Sequence, residues 1–317
     1  LTPIRFLGYL FACALAAVFY CVPAYAQNAC PPPLTAPPAR QLQDAEKSAV
    51  DRGYLWRLTK DGHSSYLYGT VHLAKLEWIF PGPQLLQAFR TSGVLAVELN
   101  LFDAEVIHQL QRGIAADPGQ KISVGLQRRL SSAAGQQCID SNALKAQRLE
   151  IQISTLGMAQ ARRWGLEPVY GIEQVLLARA NRVAMPIESL ETVAEQLKAL
   201  LGESMEDSVA LTEQGLDELE NDDGEKLLMK LTDAWSQSDF TTLDSYLQWC
   251  DCIHTDSERR ALKRLLDDRN PVIASRLDRL HHSGKQVFAA VGSLHMIGSI
   301  GLPAEMQRLG YRVEKVF

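Results

Sequence analysis

The apolar and polar positions of this chain fall into three regimes. Tyr54-Leu55-Trp56-Arg57-Leu58 is rich in aromatic and branched residues and reads as a strand; Asp61-Gly62 supplies a turn, and residues 65–71 return as a second strand. Pro81-Gly82-Pro83 breaks the chain before a helix over 84–91, and 94–99 is an apolar run of the kind a buried strand shows. From 104 to about 249 the period is helical. Leu126, Leu130 and Ala133 share one face; Leu149, Ile153 and Leu156 share another, continued past polar Gln160 by Trp164. Segments 172–184 and 190–201 are amphipathic, with Met185-Pro186-Ile187 as a short strand between them. Trp164, Trp235 and Trp249 lie on apolar stripes and are expected in the core.

The acidic stretch 203–225 reads as a solvated helix and turn, and a short polar helix is expected over 42–50. Segment 257–282 is helical, with Pro271 either kinking one helix or separating two. Strand character returns over 286–292. A helix over 302–309 ends at Gly310, and 311–316 alternates and closes the sheet. Strands cluster at both ends and helices fill the middle. The expected class is therefore mixed α/β (α+β), with a central sheet built from the N- and C-terminal segments and a large helical middle region.

The first residues bear on compartment. Arg5, the apolar run 6–22 and Ala24-Tyr25-Ala26 form a secretory signal pattern, with cleavage expected after Ala26 and a periplasmic or secreted product. Five prolines over 30–38 make a spacer, so the expected parts are a signal peptide 1–26, a linker and short helix 27–53, and a domain 54–317. No other segment reaches the roughly 20 apolar residues of a spanning helix. Cys30, Cys138, Cys250 and Cys252 follow the signal, which in an oxidising compartment suggests two disulfides. A Cys250–Cys252 loop would be small and strained, so each is expected to bond a distant partner, Cys30 or Cys138. A net charge of -5 and no basic stripe argue against nucleic acid.

Candidate chemistry lies in a pattern that occurs twice. Tyr66-Leu67-Tyr68 runs into Gly69-Thr70-Val71-His72, and the apolar segment 287–291 runs into Gly292-Ser293-Leu294-His295. Each is a strand ending in Gly-x-x-His, which puts His72 and His295 where open α/β sheets hold ligands. Glu98 ends a third apolar run, 94–97, where a charge is costly unless it is paired or bound to metal. His72, Glu98 and His295 make a plausible set for a divalent metal; an ion pair of Glu98 with an arginine is the other reading. His63, His108, His281 and His282 are expected to be solvated.

Several ordered motifs resemble the TraB/GumN family, part of a superfamily with PrgY and Tiki proteins and with erythromycin-esterase-like relatives. They are the opening 56–72 with its Gly-Thr-Val-His, Val97-Glu98-Leu99, and Ser189-Leu190-Glu191-Thr192-Val193-Ala194-Glu195-Gln196, where Ser189 replaces the usual glycine. Asp267-Asp268-Arg269-Asn270, Ala290-Val291-Gly292-Ser293-Leu294-His295, and the end from Gly301-Leu302-Pro303 to Gly310-Tyr311 complete the set. The resemblance spans about 54–317. It implies a metal-dependent, peptidase-like hydrolase using manganese, cobalt or zinc on a peptide or small-molecule substrate, with His72, Glu98 and His295 as ligands. It also implies Glu191 as a further ligand or general base, and Arg269 as holder of a carboxylate or of a developing oxyanion. Glu173 is weighed between helix N-terminal charge and site wall. Rival expectations are a non-catalytic peptide- or saccharide-binding protein of the cell envelope and a metal-free ester hydrolase.

Overall fold

The computed structural model describes residues 30–32, 35–117, 119–221, 223–251 and 253–317. The signal-like segment, its cleavage point, part of the spacer and Cys252 lie outside the described residues. Among the described residues no helix is long and apolar enough to cross a membrane.

The strands are β1 Tyr54–Lys60, β2 His63–Thr70, β3 Val94–Val97, β4 Ile187–Ser189, β5 Val287–Gly292 and β6 Arg312–Lys315. Among the described residues they form one sheet of six strands, in the order β4-β3-β5-β2-β1-β6. This is the mixed α/β class, with both terminal portions in one sheet and a helical middle interrupted by β4. β1 and β2 form an antiparallel hairpin that turns at Asp61 and Gly62, both with positive φ (51° and 80°). β2, β5, β3 and β4 run parallel to one another. Parallel strands covered on both faces need apolar residues at every position, and β3 is buried throughout while β5 is buried up to Gly292. β6 lies antiparallel on the outer edge of β1 and is only half-buried.

Two expectations shift, and one pair of alternatives is resolved. The short helix is Ala39–Lys47 rather than 42–50, and the strand near 185–187 is β4, with Pro186 contributing only its carbonyl to Leu95 N–H. Pro271 separates two helices, Asp256–Leu262 and Asn270–His282, and sits in the first turn of the second, where a missing N–H costs nothing. Between them Lys263–Asp267 winds as a π-turn.

The main core packs on both faces of the sheet and includes Leu55, Leu67, Leu95, Leu177, Leu277 and Phe288. A second cluster, including Leu126, Leu130, Leu149, Leu156 and Leu216, sits within the helical middle. Trp235 is fully buried, and its Nε1 donates to the Gly69 carbonyl at 2.9 Å; Trp164 and Trp249 are only partly buried.

Two expectations are overturned. Cys30 bonds Cys138, with Cα atoms 5.5 Å apart, so neither is available to Cys250 or Cys252. The spacer lies against the helical middle, where Arg162 Nη2 donates to the Pro32 carbonyl. Cys250 is itself disulfide-bonded. His281 is fully buried rather than solvated, because the last turn of Asn270–His282 packs under the β1–β2 hairpin. Its Nδ1 lies 2.8 Å from Ser65 Oγ and its ring stacks on His63 at 3.7 Å.

Candidate functional site

The parallel strands deliver polar residues along one edge. Glu98 directly follows β3, His72 and Glu191 follow β2 and β4 by two residues, and His295 follows β5 by three. The register sets Thr70 opposite Gly292 and Val97 opposite both Ala290 and Ser189, so these carboxyl ends are adjacent.

Gly292 is where they meet. A methyl group on its Cα would stand 3.3 Å from Glu98 Oε1, 3.7 Å from His295 Cδ2 and 3.9 Å from His72 Nε2. Two imidazoles and a carboxylate thus face the space that a side chain here would fill, which is the local reason for glycine. The two repeats are also fastened to each other: Ser293 Oγ donates to the Thr70 carbonyl at 2.7 Å. Beside them, Ile172 N–H donates to the Val71 carbonyl at 2.9 Å, which starts helix Ile172–Arg182 against the His72 loop and brings in Glu173.

Glu98 is buried and fully partnered. Its Oε1 accepts from Gly292 N–H at 2.8 Å, and its Oε2 accepts from Arg269 Nη2 at 2.6 Å and Gln196 Nε2 at 3.0 Å. Burial acts to raise its pKa, but His295, Arg269 and His72 outweigh it and hold the carboxyl at about 2. Glu173, equally buried, moves the other way. Burial and then the Glu98 charge push it well above the usual carboxylate range. Its Oε1 accepts from Glu98 N–H at 3.2 Å and its Oε2 lies 3.7 Å from His72 Nδ1. Neighbouring carboxyls driven apart in this way are typical of sites that handle protons or cations.

Arg269 holds carboxylates. Its Nε donates to Glu191 Oε1 at 2.8 Å, its Nη2 reaches both Glu191 Oε2 and Glu98 Oε2, and its Nη1 caps the Leu265 carbonyl at 2.9 Å. The π-turn places it there, a backbone irregularity common at functional positions. Glu191 does not cap the following helix; Thr192 does, in a capping box with Glu195.

His295 is buried, with Nδ1 2.6 Å from Asn270 Oδ1, while Asn270 Nδ2 donates to the Ile300 carbonyl at 2.8 Å. That orientation leaves Asn270 Oδ1 as an acceptor, so Nδ1 carries the proton and Nε2 the lone pair. Burial lowers the ring's pKa to about 4, and it is neutral at neutral pH.

All five residues expected from the sequence therefore gather at one end of the sheet. The ligand atoms of His72, Glu98 and Glu173 lie within 4.8 Å of one another. This trio shares His72 and Glu98 with the expected metal set and carries Glu173 where that set has His295, which faces the same space at Gly292.

The sequence profile of the TraB/PrgY/gumN family matches residues 54–315. The chain belongs to the TraB/PrgY/gumN family. Neither a curated protein nor a solved structure matches it. The matched region contains both Gly-x-x-His repeats and every site residue above, so the TraB/PrgY/gumN pattern and the polar centre coincide. Asn270 and Gln196 sit inside the family-like motifs without a role assigned from sequence; only the bonds to His295 and Glu98 assign one.

Proposed function

We propose that this chain is a hydrolase of peptide-type acyl bonds whose polar centre takes a divalent cation. The convergence of His72, His295 and Glu98 on Gly292, with Glu173 beside Glu98 and tuned in the opposite direction, carries the reading. His72, Glu98 and Glu173 would hold the cation; one imidazole with two carboxylates suits manganese, cobalt or zinc. When bound, such an ion supplies Lewis acidity and lowers the pKa of water.

The chain's own groups have distinct tasks. Arg269, Gln196 and Gly292 N–H fix Glu98 in its ionised state. His295, neutral with an open Nε2, is able to ligate or to accept a proton. Arg269 acts as a holder of Glu98 and Glu191, because all three of its nitrogens are already engaged. The signal-like segment supports work in the periplasm or outside the cell.

Metal analysis of natively purified protein, joined to a peptide-library cleavage assay, tests this. One equivalent of metal and chelator-sensitive cleavage are expected, both lost in His72→Ala and Glu173→Gln. Full metal content in both variants, or cleavage indifferent to chelator, refutes it. Binding without turnover is the second reading, favoured by the apolar walls of the adjoining cavity.

A further inference from the structure

The β1–β2 turn is fastened to the end of helix Asn270–His282 chiefly through imidazoles. His281 and His282 occupy the last turn of that helix. His63 Nε2 donates to the His281 carbonyl at 3.0 Å, and the two rings lie nearly parallel, 8° apart in plane and 3.7 Å between centroids. His281 Nε2 lies 3.1 Å from the Lys60 carbonyl, and His282 Nε2 lies 3.2 Å from Asp61 Oδ2. An ion pair of Lys60 with Asp278, at 3.1 Å, completes the contact.

This arrangement requires a neutral His281. A carbonyl only accepts, so Nε2 carries the ring's proton; Nδ1 keeps its lone pair and accepts from the Ser65 hydroxyl at 2.8 Å. Ser65 Oγ in turn accepts from Val287 N–H at 3.1 Å. A second proton, on Nδ1, would face the hydroxyl proton and put a charge on a fully buried residue. Asp61 and Asp278 favour that charge, but both are engaged: Asp278 Oδ1 holds Lys60 and the Tyr311 hydroxyl, and His282 lies between the two acids. The Tyr311 ring meets His281 at 4.9 Å, and a charged His63 would set like charges face to face. A histidine in the last turn of a helix ordinarily gains by being charged. Burial outweighs that here and lowers the pKa of His281.

The three elements that meet at His281 each carry part of the polar centre at their other end. β2 begins at His63 and leads to His72, and β5 begins at Val287 and leads to Gly292 and His295. Helix Asn270–His282, about 20 Å long, begins next to Arg269, which holds Glu98 and Glu191, and with Asn270, which holds His295. We infer that the histidine cluster is an acid-released latch: protonation of His281 detaches the β1–β2 turn, and the helix freed at that end relaxes its hold on the polar centre. Resting on the hydrolase reading, this makes acidification the off-signal of the enzyme.

Amide hydrogen exchange of the full chain, read by NMR as protection factors at pH 7.5, 6.5 and 5.5, tests this. Val287 N–H reports the latch through Ser65, Gly292 N–H reports the centre through Glu98, and Leu95 N–H, bonded to the Pro186 carbonyl, reports the core. Protection at Val287 should fall by up to about tenfold between pH 7.5 and 5.5, Gly292 should follow it, and Leu95 should hold. His281→Gln offers a donor and an acceptor that do not titrate, and should keep Val287 and Gly292 constant over that range. Constant Val287 protection in the unaltered protein, its loss without loss at Gly292, or equal loss at Leu95 overturns the inference, and none of these needs a variant. A fall at Gly292 that is as large in His281→Gln overturns it too, since the titration then lies within the centre. The readout uses neither metal nor substrate. Latch opening in a protein that cleaves nothing removes the hydrolase alone, and cleavage with constant Val287 protection removes the latch alone.

Discussion

Asn270 holds His295 by a single short bond, 2.6 Å from Oδ1 to Nδ1, and is itself fixed by the Ile300 carbonyl. The pair decides which ring nitrogen faces the cavity. Asn270→Ala removes the acceptor and lets the imidazole exchange tautomers and rotate. Turnover should fall roughly ten- to a hundredfold, as expected for a lost orienting partner, with KM changed little. A steady-state comparison checks this, and unchanged kcat would show that His295 needs no such support.

Gly292→Ala tests the meeting point directly. The added methyl would stand 3.3 Å from Glu98 Oε1, closer than an ordinary contact, and displace the carboxylate by tenths of an ångström. Metal affinity and cleavage should drop by about a hundredfold, since small misplacements are costly in such centres. The melting temperature should move by only a few degrees. A variant that retains both functions would mean that the space at residue 292 is not used.

Arg269→Met should be the most destabilising change at the centre. It strands Glu98 and Glu191, both buried, without their shared cation. Breaking one side of a buried ion pair costs about 3–5 kcal/mol, readable as a lowered urea midpoint. Adding Glu191→Gln to it should recover part of the loss, because one stranded charge is then removed. No recovery would indicate that packing rather than charge is what the arginine supplies.

Stability should depend on pH through His281. Burial lowers its pKa below the ordinary 6.5, helped by His63 and His282 and opposed by the Lys60 carbonyl and Asp61. Lys60, Asp278 and Tyr311 complete the charged surroundings. The unfolded chain then takes up the proton first as pH falls. His281's contribution is whole above about pH 6.5 and declines below it, down to the folded pKa. Urea midpoints at pH 7.5 and 5.5 should differ, and His281→Gln should shrink the difference. An equal difference in the variant would place the sensitivity elsewhere.

How much of this was readable beforehand depended on how local each determinant is. His72, Glu98 and His295 follow apolar runs, and a polar residue ending a buried strand is visible in the pattern itself. Glu191 and Arg269 became candidates only through resemblance, since each lies in a helical context that gives no such contrast. Glu173, in the first turn of its helix, reads equally well from sequence as helix N-terminal charge or as site wall. Its significance comes from Ile172 docking on Val71, a contact across a hundred residues of chain that no period encodes. The same holds for His281, hidden by a hairpin more than two hundred residues earlier, and for Cys30, whose bond to Cys138 depends on the path of a spacer. Pro271 was legible as a boundary, but the π-turn before it was not.

The place of β5 has a consequence for how the molecule comes together. It lies between β2 and β3, yet it is encoded by residues 287–292, long after both. During synthesis the β1–β2 hairpin and the β3–β4 pair therefore lack the strand that hydrogen-bonds to both, each showing an unsatisfied strand edge. Assembly must wait for the last-made portion, a high-contact-order route that folds slowly and invites aggregation meanwhile. Gly292 and His295 belong to that same late portion, so the polar centre has its full set of residues only once the final stretch is free to fold.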